Sequence, residues 1–201
     1  MVTPNFEKVL PCDAMYRHNK KYFTTLDLAL TGVFIALWAS LQLTIAPLGF
    51  RLFGGPANPL SPILCDISAY FTLILIVWVT GKFGVATMVG IAGSIIVLLI
   101  IGATQIFGFA ASAILFDILC LSIRHKPSAR IINAIGITII TVVSAYFAGA
   151  IIGSVFMPKT LEWALTFWGV GHAVGGLLSV LIAIPVIGAL ERAGVRRLIH
   201  A

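Results

Sequence analysis

Six long stretches almost free of charge, residues 28–47, 63–80, 83–103, 106–123, 131–157 and 163–190, leave this chain few folds to adopt. Each is 18 to 28 residues long, and none holds more than one charged side chain. A helix needs about 20 apolar residues to cross a bilayer core of roughly 30 Å, and backbone within lipid must satisfy its own hydrogen bonds. The pattern predicts an all-α membrane protein with six transmembrane helices, the last two long enough to tilt or project. Only 10% of the residues are charged and mean hydropathy is +1.08, against about 25% charged in ordinary soluble domains, so a water-soluble enzyme is excluded.

The net charge of +6 takes its meaning from where the charges lie. Six spans put both termini on one side. That side holds Lys8, Arg17, Lys20, Lys21, Lys82, Arg124, Lys126, Arg130, Arg192, Arg196 and Arg197, while Arg51 and Lys159 fall on the other. By the positive-inside rule both termini are expected in the cytoplasm, with the chain multi-pass in the cell membrane. The basic character then reports topology and contact with anionic membrane lipid, not nucleic acid. The expected organisation is a cytoplasmic tail over 1–25, one membrane domain over 26–191 and a basic cytoplasmic tail over 192–201. No signal-peptide-like apolar run occurs in the first 25 residues. Cys12, Cys65 and Cys120 fall in separate regions and suggest no bridge.

The segment 48–62, LGFRLFGGPANPLSP, has three prolines and three glycines, which argue against a regular helix through it. On the outer side, its Phe50, Leu52 and Phe53 favour folding back onto the bundle as a lid, with Arg51 and Asn58 as its polar members. Spans three and four are separated by so few residues that Thr104 and Gln105 must stay near the membrane, beside any hollow that opens outward. Lys159 and Glu162, on the remaining outer connection, could form an interfacial ion pair.

Polar groups inside the spans deserve separate weighing, because an ionisable residue in lipid is costly unless it faces the interior or a cavity. Asp66 lies near the outer end of span two and Asp117 near the inner end of span four, where Arg124 could pair with it. His172 falls about 13 Å inside the outer boundary, at the depth of Tyr146. It either lines a ligand site or bonds a neighbouring helix. Trp168 precedes it by four residues on the same helical face. Gln105, Phe109, Tyr146, Glu162, Trp168 and His172 form the expected substrate-binding set, with aromatic plates and hydrogen-bonding groups suited to a mid-sized cofactor precursor.

Small residues recur every four positions: Gly32, Ala36 and Ser40; Ala86, Gly90 and Ser94; Ala145, Gly149 and Gly153; and Gly171, Gly175, Ser179 and Ala183. Such stripes let helices approach closely in a bilayer. On the first helix, which can lie at the bundle edge, the stripe can also dock another membrane protein.

There is no Walker A sequence, no HExxH and no clustered metal-ligating set. The stretch Gly171-His172-Ala173-Val174-Gly175 is similar to the histidine helix of rhomboid-type intramembrane serine proteases, but Ala92-Gly93-Ser94 lacks the nucleophile's flanking pattern.

In size, span number and lidded outer cavity, and in the closing stretch GHAVGGLLSVLIAIPVIGALERAGV over 171–195, the chain resembles the substrate-binding S components of energy-coupling factor transporters. That resemblance implies capture of a vitamin or related small-molecule micronutrient from outside. It implies partnership with a transmembrane coupling subunit and two ATPase subunits, and no enzymatic activity of the chain itself. In the family an alanine stripe on the first helix docks the coupling subunit; here Gly32, Ala36 and Ser40 match, with serine at the second alanine. The cobalt and nickel members open with a Met-His motif, which Met1-Val2-Thr3 lacks, so neither metal nor resident cofactor is expected. A thiamine-related pyrimidine, riboflavin, biotin and corrinoids remain as substrates.

Overall fold

The computed structural model describes residues 22–55, 58–157 and 159–195. Lys8, Cys12, Arg17, Lys20 and Lys21 of the expected N-terminal tail, and Arg196 and Arg197 of the C-terminal one, lie outside the described residues. Every regular element among the described residues is helical. We number them α1 (Thr25–Leu52), α2 (Pro62–Thr80), α3 (Val85–Ile101), α4 (Thr104–Ile123), α5 (Ile131–Phe156) and α6 (Leu161–Arg192). Five are long and apolar enough to cross a membrane. The exception is α3, whose 17 residues rise about 26 Å. It is shorter than the 83–103 stretch suggests because Gly84 and Gly102 end it in left-handed backbone, at φ 95° and 68°.

The helix α1 begins in a capping box in which Thr24 Oγ1 accepts from the Asp27 amide and Asp27 Oδ2 accepts from the Thr24 amide, at 3.2 and 2.7 Å. Lys82, on the turn between α2 and α3, pairs with the same carboxylate. At its other end α1 runs through Pro47 to Leu52, so the connection expected to start at residue 48 starts at 53. Proline removes only the hydrogen bond to the carbonyl four residues earlier, and the residues after it can remain helical.

Consecutive contacts close a ring in the order α1, α3, α4, α5, α6 and α2. Of these, α2 also touches α3 and α5, and is the most buried helix, with 72% of its most apolar window buried against 22% for α1. The small-residue stripes explain part of the close packing, and Gly93 and Gly176, outside those stripes, explain more of it. A Cβ on Gly90 would lie 2.2 Å from that of Ala113, joining α3 to α4; one on Gly93 would lie 2.5 Å from the Trp38 ring, joining α3 to α1. Between α5 and α6, a Cβ on Gly176 would lie 2.7 Å from that of Ala145. The α1 stripe differs. Gly32 meets nothing within 4 Å, and Ala36 and Ser40 are exposed, so the stripe faces away from the bundle.

Asp117 does not pair with Arg124. Its Oδ2 accepts from the amides of Gly84 and Thr87 and from the Thr87 hydroxyl at 2.8, 3.0 and 2.8 Å, which caps α3, and its Oδ1 lies 3.0 Å from His125 Nε2. Arg124 takes left-handed backbone, at φ 53°, and its side chain is exposed. The carboxylate thus satisfies amides that the bundle buries, which an exposed arginine could not relieve.

Gly90→Val is expected to lower the melting temperature of the detergent-solubilised protein sharply, the overpacking costing at least about 1 to 3 kcal/mol. Gly32→Val should leave the melt unchanged, because no atom occupies the space its side chain enters.

Candidate functional site

Residues 53–55 and 58–61 lie across one end of the bundle as a folded cover. Asn58 Nδ2 donates to the Phe53 carbonyl at 2.7 Å, Asn58 Oδ1 accepts from the Leu60 amide at 3.0 Å, and Ser61 Oγ donates to the Gly55 carbonyl at 2.6 Å. Both flanks rest on glycine. A Cβ on Gly49 of α1 would come within 2.7 Å of the Ser61 carbonyl oxygen, and one on Gly171 of α6 within 2.2 Å of the Pro59 carbonyl oxygen. Arg51 is exposed in the last turn of α1, whereas Phe50 turns inward.

Beneath this cover, Asp66 of α2 and His172 of α6 form a fully buried pair. Nδ1 lies 3.0 Å from Oδ1 and 2.9 Å from Oδ2, with hydrogen-bond geometry to Oδ1. Glycines on both sides make room. A Cβ on Gly175 would lie 2.6 Å from that of Asp66, and one on Gly149 of α5 2.7 Å from the imidazole. His172 therefore bonds a neighbouring helix, whatever else it contacts.

A row of rings runs through this layer from α1 to α6. Trp38, Phe109, His172, Trp168 and Trp163 follow one another at centroid distances of 6.3, 5.6, 5.6 and 5.4 Å. Among the described residues Trp38 Nε1, His172 Nε2 and Trp168 Nε1 are buried with no hydrogen-bond partner, as are Asp66 Oδ2, Ser144 Oγ and Ser179 Oγ. Each such atom costs about 1 to 3 kcal/mol when left unpaired, which a purely structural packing layer would avoid. Trp168 closes a π-helical turn, Ala164–Trp168, that packs against a second one in α5, Ile152–Phe156. Paired π-turns widen both helices here and are frequent at functional sites.

Next to Phe109 lies a cavity of about 70 Å³ between α1, α2, α3 and α4, lined by Gln42, Pro47, Phe50, Cys65, Gln105 and Phe109 among others. Gln42 is 1% exposed, and its Nε2 donates to the Cys65 carbonyl and the Ser68 hydroxyl at 3.0 and 3.2 Å. Pro47 leaves the Leu43 carbonyl without its helical donor, one turn away from the cavity wall. The volume falls well short of the roughly 300 Å³ at which small-molecule pockets begin, so a vitamin-sized ligand enters only if the cover or Phe109 moves.

The expected site residues are thus partly gathered. Phe109, Trp168 and His172 touch, and Gln105 shares the cavity with Phe109. Tyr146 packs its ring against Gly169 at the edge of the α5–α6 seam and is 37% exposed. Glu162 is exposed in the first turn of α6. Lys159 forms no ion pair with Glu162; its Nζ stands 6.0 Å over the Trp163 ring. Gln42 and Trp38 join the site without having been singled out. Gln42 is the one carboxamide in the 28–47 stretch, a signal that the rule applied to Asp66 and His172 would have caught. Ser94 donates to the Ile106 carbonyl at 3.3 Å, and no serine hydroxyl pairs with His172 Nε2 among the described residues, so the serine–histidine contact of a protease is not formed.

No family model, curated protein or solved structure matches this chain.

His172→Ala leaves the Asp66 carboxyl alone in an apolar interior and should destabilise the ligand-free protein by about 3 to 5 kcal/mol. Replacing both by leucine should recover more than half of that loss. A double-mutant cycle of thermal melts in detergent checks it, and additive losses would show that the pair is not coupled.

Proposed function

We propose that the chain is the substrate-capture subunit of an energy-coupling-factor type transporter, taking up a vitamin or cofactor precursor for ATP-driven import. The observation that carries this reading is the layer beneath the cover, where three ring nitrogens without partners among the described residues belong to an aromatic row that reaches, through Phe109, a cavity lined by two carboxamides. A ligand carrying N–H, hydroxyl or carbonyl groups offsets that desolvation, and the aromatic row offers flat surfaces to stack on. Among the described residues no charged side chain lines the cavity, which favours an uncharged ring system over a carboxylate or a phosphate. In this account the cover is the lid. Its two glycine contacts are small enough to part, and its return slows release of the captured molecule.

The outer stripe of α1 supports the same reading. Gly32, Ala36 and Ser40 lie on a face left exposed by the described residues, and a stripe of small residues is the surface on which another transmembrane helix approaches most closely. The transmembrane coupling subunit takes this face, and two ATPase subunits supply the energy. Lys82, Arg124, Lys126, Arg130 and Arg192 belong to the end opposite the cover, so the positive-inside rule puts that end and both termini in the cytoplasm, with the cover facing out.

Affinity purification of the full chain from its native membranes tests the assignment. The chain should bring down a coupling subunit and two ATPases; Ala36→Trp should abolish their recovery, and Leu99→Trp, on the 79% exposed lipid-facing side of α3, should leave it intact. Recovery unchanged in Ala36→Trp would remove α1 as the docking face, and no ATPase with the wild-type chain would remove the assignment.

A further inference from the structure

At the end opposite the cover, the connection between α4 and α5 forms one wall of a polar pocket of about 250 Å³. Its lining comprises Lys126, Ser128, Arg130, Asn133 and, from α6, Glu191. The connection is held in place. Asn133 Nδ2 donates to the Lys126 carbonyl at 3.1 Å and to Ser128 Oγ at 3.0 Å, and the preceding His125 is tied to Asp117. Neither Lys126 nor Arg130 has a carboxylate within 4.0 Å among the described residues. The one acid in the pocket, Glu191, accepts from Trp78 Nε1 at 3.4 Å. Arg192 folds back over Gly188, which packs against Ala129, and so brings a third cation to the same corner.

From the chain neighbours of Ser128 and Arg130, Ala129 and Ile131, a shallow groove of about 310 Å³ runs along α5. Ile131, Ile135 and Ile139 form its ridge, and Ala134 and Thr138 its floor. These isoleucines are 78, 56 and 59% exposed, and the ridge extends about 12 Å along the helix. A cationic, hydroxyl-bearing pocket and an apolar groove are thus lined by consecutive stretches of the chain, 126–133 and 129–139. We infer that this corner is a binding site for one anionic phospholipid, with its phosphodiester on Lys126, Arg130 and the Ser128 hydroxyl and an acyl chain in the α5 groove. Two unpaired cations outweigh Glu191, so the pocket complements a headgroup of net negative charge and discriminates against a zwitterionic one, whose ammonium would sit beside Lys126 and Arg130. The groove demands a tethered hydrocarbon chain, which a free phosphate lacks. None of these residues belongs to the covered site, so this inference stands or falls apart from the capture function.

The test is native mass spectrometry of the full-length protein, delipidated in detergent and titrated with phosphatidylglycerol, with phosphatidylcholine of the same chains, and with glycerol 3-phosphate as competitor. Phosphatidylglycerol should form a one-to-one adduct at least tenfold more tightly than phosphatidylcholine, and glycerol 3-phosphate should fail to displace it. Lys126→Gln with Arg130→Gln should remove the preference between the two lipids. Thr138→Trp, which fills the groove without touching a cation, should weaken phosphatidylglycerol at least tenfold. Both sets of positions lie at the surface or partly exposed, and a thermal melt on each preparation verifies folding; if one variant fails it, the other decides. Equal affinity for the two lipids, or a preference that survives in the folded variants, overturns the inference. Full displacement by glycerol 3-phosphate identifies a phosphate site instead and overturns it as well.

Discussion

The bond between Asp66 and His172 is the constraint around which the covered end of the bundle is arranged. An apolar bundle cannot hydrate a buried carboxyl, so Asp66 must find its partner within the fold, and that partner sits on the helix farthest along the chain. Two glycines clear the space for it. Gly175 lets α6 close on α2 at Asp66, and Gly149 lets α5 close on the ring of His172. The interaction brings specificity more clearly than stability, since a well-packed pair of apolar side chains could hold the same helices together. What leucines could not do is fix the register of α2 against α6 and aim an imidazole edge into the aromatic row.

Other features of that end follow from the register. With Gly175 against Asp66, Gly171 falls one turn higher, where the backbone of Pro59 rests on it. The cover is thereby seated over the same turn that carries His172. Trp168 and Trp163 continue the row toward the start of α6, and the paired π-turns supply the extra width their indoles occupy. On the other flank Phe109 stands between His172 and the cavity that Gln42 and Gln105 line. A side chain placed there is positioned to separate the cavity from the buried pair or, by rotating, to join them.

Much of the fold was legible in the sequence, because lipid imposes one simple rule on backbone. The apolar stretches located the long helices of the described residues, five of them long enough to span a membrane, and the four-residue spacing of small side chains marked positions of close approach on α3, α5 and α6. The errors share a cause: local reading of an interaction that is settled at a distance. Pro47 marks a break only for a helix that has nothing to gain beyond it, and Phe50 gains burial. Asp117 has Arg124 as its neighbour in sequence, yet capping α3 relieves amides about 30 residues away. Asp66 and His172 were each conspicuous alone, but a separation of 106 residues hides which helix faces which. Tyr146, at the depth of His172, packs on Gly169, and Glu162 is exposed at the start of α6; neither enters the ring row, since position along a helix says nothing about azimuth.

The capture function proposed for the chain requires a small molecule as the partner of the polar layer beneath the cover. Mass spectrometry of small molecules released by denaturing the purified protein addresses that claim most directly. The account predicts one uncharged, ring-containing compound at close to one per chain, lost from a folded Gln42→Leu/Gln105→Leu variant. Protein from cells grown in rich medium that releases nothing above an empty-membrane control, or releases the same compounds with and without those two carboxamides, would contradict it.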